Sequence, residues 1–158
     1  PMVQKQALAI AEAVLEEVQL RPLTFCDPDD PQAATALDAS VSATGCTAAA
    51  AVENIGAEST APYGPETRTG GTTPFDNVND YNTFSMTGMT DIAGTAITGL
   101  GAYTATVGVA TQGIPTFGGA PAIPAAEALL ITVTVTGPGN TTVVLHGYRT
   151  RYAPNALP

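Results

Sequence analysis

Basic residues are scarce in this chain. Lys5, Arg21, Arg68, Arg149 and Arg151 stand against 14 acidic residues, for a formal charge of -9. They form no polybasic patch, and so acidic a chain repels phosphate backbones and anionic lipid, which argues against a nucleic-acid partner. Tryptophan is absent, so there is no indole platform for stacking a sugar. With His146 the only histidine, a His-based zinc site is excluded. His146 could serve as a base for Ser40, Ser42, Ser59 or Ser85, but none of these sits in a Gly-x-Ser-x-Gly elbow. No Cys-x-x-Cys is present, which removes thioredoxin-like exchange. Gly99-Leu100-Gly101 and Gly118-Gly119 lack the Lys-Ser or Lys-Thr that completes a phosphate loop. No apolar run is long enough to cross a membrane. No catalytic group and no cofactor site is expected, and the protein is read as a non-enzyme.

The 158 residues are enough for one domain with a core. Sixteen glycines and 13 prolines place much of the chain in turns and loops. From Met2 to about Arg21 the pattern is helical: Val3, Ala7, Leu8, Ile10, Ala11, Val14, Leu15 and Val18 make a broad apolar face. Glu12, Glu16 and Glu17 fall on the expected wet face. Pro22 ends the helix, because it restrains Arg21 and has no N–H to donate.

Residues 22–74 show little periodicity and are expected to be loop, with short helices possible at 33–37 or 47–55. Cys26 and Cys46 lie in this stretch. In an oxidising compartment a disulfide between them would remove unfolded-state entropy of roughly 3 kcal/mol; two free buried thiols are the alternative.

Residues 75–152 carry the strands. Residues 103–109 alternate. Leu129 to Thr136 places Ile131, Val133 and Val135 on one face and Leu130, Thr132, Thr134 and Thr136 on the other, and 141–152 follows with mixed β-formers. The turn Gly137-Pro138-Gly139-Asn140 is too short for a crossover, so these strands pair antiparallel. A further element is expected near 84–97, and 111–127 reads as an elaborated strand connection. The expected fold is α+β, with an N-terminal amphipathic helix covering one face of an antiparallel sheet and a long disulfide-pinned loop between them.

Asp76, Asn77, Asn79 and Asp80, with Asp27, Asp29 and Asp30, are the best candidates for a divalent ion, since calcium takes several hard oxygen ligands. Their spacing fails the EF-hand pattern, and turn formation explains the same residues. Asp76, Asn79 and Asp80 are therefore weak metal candidates, and little calcium dependence is expected. Arg149 and Arg151 project to one face of the last strand and suit surface salt links better than an anion site.

Several segments together resemble type IV pilin-like proteins of the minor pilin or pseudopilin kind, nearest to the MSHA-type minor pilins of the MshD sort. They are the helix stretch 11–18, Arg21-Pro22, and Phe75-Asp76-Asn77-Val78-Asn79-Asp80-Tyr81. Gly101 to Val107, Ile131 to Thr136 and Tyr148-Arg149-Thr150-Arg151-Tyr152 complete the set.

The resemblance implies a cleavable leader and a hydrophobic membrane helix ahead of Pro1. It implies a membrane-anchored precursor whose domain faces the periplasm, later part of an extracellular pilus or periplasmic pseudopilus. Partners would be other pilin-like subunits; of the helix residues near Ala7, Ala11, Val14 and Val18, some would pack on the sheet and others would be subunit contacts, with Cys26 and Cys46 securing the helix-to-sheet junction. The competing reading is an exported adhesin or carbohydrate-binding module.

Overall fold

A computed structural model describes residues 1–116 and 118–157. Its regular elements are helix α1 (Met2–Gln19) and strands β1 (Ser85–Thr87), β2 (Thr104–Thr111), β3 (Ala128–Gly137) and β4 (Thr141–Thr150). The four strands form one antiparallel sheet in the order β1-β2-β3-β4, and α1 packs mainly on β3 and β4. The expected α+β arrangement is the observed one.

Helix α1 stops at Gln19, slightly before the expected end. The Leu20 N–H still reaches the Glu16 carbonyl at 3.0 Å, whereas the Arg21 N–H reaches Val18 at 3.2 Å. This tightening follows from Pro22, which disfavours helical backbone at Arg21. Ala7, Ile10, Ala11, Val14 and Val18 are buried, a spacing that places one side chain per turn against the sheet. The helix is not long and apolar enough to cross a membrane.

The core is built by alternation. Ala105, Val107 and Val109 of β2 face α1, as do Ile131, Val133 and Val135 of β3, with Val143 and Leu145 of β4 packed at the margin. Valine and isoleucine suit such half-covered strands because their stiff branched side chains fill the pleat. The β3–β4 turn closes through Gly139 at φ 67° and Asn140 at φ 57°, a left-handed geometry that glycine and asparagine tolerate. Three of the residues joining β2 to β3 form one short 3-10 turn, Ala125–Glu127; Phe117 in that connection lies outside the described residues.

Between α1 and β1 the chain makes only isolated bridges, turns and two single-turn 3-10 helices, Ala49–Ala51 and Asn79–Tyr81. The possible helix at 47–55 is thus reduced to one turn, and 33–37 forms none, consistent with the high cost of starting so short a helix. Two anchors hold this region. The Cys26–Cys46 disulfide forms, with Ala33, Ala36 and Ala51 packed around it as a small second core. Phe75, Tyr81 and Phe84 meet edge to face at centroid separations of 4.9–5.9 Å and join the region to the main core.

Candidate functional site

The loop region folds acidic residues from four stretches of chain into one cluster. Asp27 follows the disulfide cysteine, and its N–H donates to the Ala51 carbonyl at 2.9 Å. Glu53 is placed by its own N–H, which donates to the Phe25 carbonyl at 3.1 Å. Glu58 and Glu66 are tied by the Glu66 N–H to the Glu58 carbonyl at 2.9 Å and by the Glu58 N–H to Glu66 Oε2 at 3.2 Å. Asp80 sits in the 3-10 turn, where its Oδ2 accepts from the backbone N–H groups of Asp76 at 2.9 Å and Asn77 at 2.6 Å.

Four overlapping triads result, in each of which one carboxylate oxygen per residue lies within 4.8 Å of the others. They are Asp27–Glu58–Glu66, Asp27–Asp29–Asp76, Glu53–Glu58–Asp80 and Glu66–Asp76–Asp80. Asp27 and Asp80 are each 1% exposed.

Such crowding raises the carboxyl pKa values. Burial pushes Asp76 up to about 8, and the charges of Asp27 and Asp80 add to it. Burial, with Glu58 nearby, takes Asp27 to about 6 against the opposing hydrogen bond from the Asp29 N–H. Glu53, Glu66 and Asp80 are raised as well, first by burial and then by their acidic neighbours. Among the described residues the ion pairs are Arg68–Glu17 and Arg151–Glu127, so no cluster carboxylate has a cationic partner.

The sequence-derived candidates Asp76, Asn79 and Asp80 are brought together here, joined by Asp27 and by Asp29 at the rim. Asp30 is not part of the cluster. It accepts from the Gln32 N–H at 2.7 Å and the Thr47 N–H at 3.0 Å, closing the disulfide loop. Glu53, Glu58 and Glu66 escaped the sequence reading because nothing in their spacing links them to Asp76 or Asp80. The one available signal was acidic residues recurring through a stretch poor in every other charge.

Other expectations change. Glu17 is not a solvated residue of the wet face: Arg68 donates to both of its carboxylate oxygens and the Tyr81 hydroxyl to one. Glu12 and Glu16 are exposed, as expected. Arg149 makes no salt link among the described residues. Its guanidinium lies 4.7 Å from the Tyr152 ring centroid and donates to the Arg21 carbonyl at 3.2 Å. Arg151 pairs with Glu127 at 3.6 Å and lies 4.5 Å from the Phe25 ring centroid, while donating to the Leu23 and Thr24 carbonyls. Both arginines therefore fasten the end of β4 to the chain leaving α1.

His146 is exposed on the outer face of the sheet, with Nδ1 at 3.1 Å from Thr132 Oγ1. Ser85 lies on β1, at the far edge of the sheet from His146 on β4, about 14 Å away at ordinary strand spacing. Ser40 and Ser42 bond to each other in the disulfide loop at 2.9 Å.

Ala7, Ala11, Val14 and Val18, expected to be divided between sheet packing and subunit contact, are all buried in the chain's own core. The sheet covers most of that face, and the more open part of the helix lies on its other side. There, Ala9 and Ala13 are exposed beside a groove of about 400 Å³ lined by Met86, Met89, Ile97 and Leu100.

Comparison of the chain with protein-family models, with curated proteins and with solved structures gave no match. The identity that stands is architectural: a small α+β domain with one N-terminal helix on a four-stranded antiparallel sheet and one disulfide, consistent in outline with pilin-like domains and assigned to no particular family.

Proposed function

We propose that the chain is the globular part of a pilin-like subunit, a minor pilin or pseudopilin, which acts by docking to other subunits and not by catalysis. The observation that carries this reading is the two-sided helix. One side of α1 is consumed by the sheet, while Ala9 and Ala13 stay open next to the apolar groove and Leu20 is 76% exposed. Small side chains on an open helix face allow close approach of a second helix. In this reading the subunit is held in the inner membrane by a segment preceding Pro1 and later enters a pilus or secretion pseudopilus.

The test has two arms. The gene upstream of Pro1 should encode a leader followed by an apolar segment of about 20 residues; an ordinary secretion signal without that segment overturns the proposal. Cysteines placed at Ala9 and Ala13 should cross-link to other subunits in assembled filaments, and cysteine at the exposed Val144 on the sheet's outer face should not.

A second reading, a glycan-binding module, is favoured by the outer face of the sheet. Register aligns Thr87, Thr104, Thr136 and Thr142 across the four strands, and Ser85, Thr106 and Thr134 in the next row. The exposed Tyr148 lies on the same face. Selective binding on a glycan array, lost on Tyr148→Ala, would support it; failure across a broad array would dismiss it.

A further inference from the structure

The acidic cluster contains oxygens that turn formation does not use. Glu53 Oε1, Glu58 Oε2, Asp76 Oδ1 and Asp80 Oδ1 are buried with no hydrogen-bond donor, as is the amide oxygen Oδ1 of Asn79. Asp80 and Asn79 are only 1% and 2% exposed. The rest of each side chain is occupied. Asp80 Oδ2 takes the two backbone N–H groups, and the Asn79 amide nitrogen donates to Glu53 Oε2 at 2.7 Å and to the Asn54 carbonyl. These two residues are thus held firmly while their remaining oxygens face no donor. A buried acceptor without a donor is costly, and a buried carboxylate more so. Asp80 belongs to two of the carboxylate triads, one with Glu53 and Glu58 and one with Glu66 and Asp76, so buried acceptors gather around it and call for a cation.

We propose that these residues form a structural calcium site, with Asp80, Asp76, Glu58 and Glu66 as its centre and Asp27 and Glu53 completing it from the disulfide side.

The chemistry of the donors selects the ion. All are hard oxygens; both cysteines are in the disulfide and His146 is exposed on the far face of the sheet, so a soft or imidazole-seeking metal has nothing to hold. Oxygens on opposite sides of a calcium ion, each at 2.3–2.6 Å, lie about 5 Å apart. The triad oxygens lie within 4.8 Å of one another, close enough to share one such ion. Magnesium gives up its water reluctantly and is usually held by one or two carboxylates, so a cage built from this many protein carboxylates suits calcium better.

The site has a structural purpose. It joins the disulfide loop through Asp27 and Glu53, the 58–66 segment, and the 3-10 turn carrying Asp80. These parts of the chain lie between α1 and β1, where the only regular elements are single 3-10 turns. An ion bound to the folded chain but not the unfolded one stabilises the fold by mass action.

The test uses the chain as it stands, stripped with EGTA and returned to calcium chloride. Expected are saturable heat in a calorimetric titration and a rise in Tm of several degrees at millimolar calcium, reversed by EGTA and smaller with magnesium. Asp80→Asn and Glu58→Gln should each weaken calcium binding at least tenfold. In EGTA both variants should melt no lower than the wild type, because each removes one repelling charge; in calcium both should melt lower. Absence of heat and an unchanged Tm at millimolar calcium would overturn the proposal and leave the cluster as carboxylic acids sharing protons. Equal losses of Tm in EGTA and in calcium would also overturn it. None of these readouts depends on filament assembly, so the calcium site and the pilin-like role stand or fall separately.

Discussion

Arg68 grips Glu17 across 51 residues of chain: Nε donates to Oε1 at 2.8 Å and Nη2 to Oε2 at 2.9 Å. The Tyr81 hydroxyl adds a third bond to Oε1 at 2.8 Å. Arg68 also donates to Thr90 Oγ1 and to the carbonyls of Thr90 and Asp91, so one guanidinium ties the helix to the loop region and to the segment after β1. Removing one partner of a buried pair costs about 3–5 kcal/mol when the other is left uncompensated. Glu17 keeps 21% of its side chain exposed, so Arg68→Met should cost somewhat less, about 2–3 kcal/mol, in urea unfolding.

The same contact fixes a pH dependence. Burial opposes the Glu17 charge, but the hydrogen bonds from Arg68 and Tyr81 outweigh it and hold the carboxyl below its ordinary 4.5. The unfolded chain therefore takes up the Glu17 proton first as pH falls. The contribution of this contact is whole above about pH 4.5 and is lost as pH drops through the lower folded value. The stability gap between wild type and Glu17→Gln should be constant near neutrality and close in acid. A gap that stays constant down to pH 2–3 would contradict it.

Reduction of Cys26–Cys46, which are 20 residues apart, should lower stability by about 3 kcal/mol through the released loop. Equilibrium unfolding with and without a reductant measures this. The sheet core should survive reduction, because Ala33, Ala36 and Ala51 around the bridge belong to a separate cluster.

Alternation along the sheet gives an opposed pair of outcomes. Ile131 is fully buried, and Ile131→Ala should cost about 2–5 kcal/mol. Val144 is 47% exposed on the outer face, and Val144→Ala should stay within about 0.5 kcal/mol. Similar losses for both would mean that the outer face is covered.

Gly137 tests close packing without backbone strain, since its φ of -144° is open to any residue. A Cβ there would lie 2.6 Å from Tyr103 Cε1, and that ring is fixed by burial and by its hydroxyl bond to Gln6 at 2.6 Å. Gly137→Ala should cost about 1–3 kcal/mol by overpacking, and Tyr103→Leu should recover part of it in a double-mutant cycle.

The amino-acid sequence alone determined the helix, the three longer strands and their antiparallel order, and it favoured the disulfide that the structure forms. Each is a local pattern: the turn-by-turn recurrence of Ala7, Ile10, Ala11, Val14 and Val18, the alternation Ile131, Val133, Val135, the Gly-Pro-Gly-Asn turn, and two cysteines with no third to compete. Such patterns are readable because side-chain periodicity follows directly from backbone geometry.

Tertiary structure decided the rest. Glu17 looked solvated because the sequence gives no sign that Arg68 lies opposite it. Ala7, Ala11, Val14 and Val18 could not be divided between sheet and neighbours, because periodicity identifies an apolar face without saying what covers it. Most of all, Asp27, Glu53, Glu58, Glu66, Asp76 and Asp80 are far apart along a region with no period, and only its folding around the disulfide and the 3-10 turn makes their oxygens converge. Charge acts through space and not along the chain, so a cluster drawn from four loop segments becomes visible only when the loops are in place.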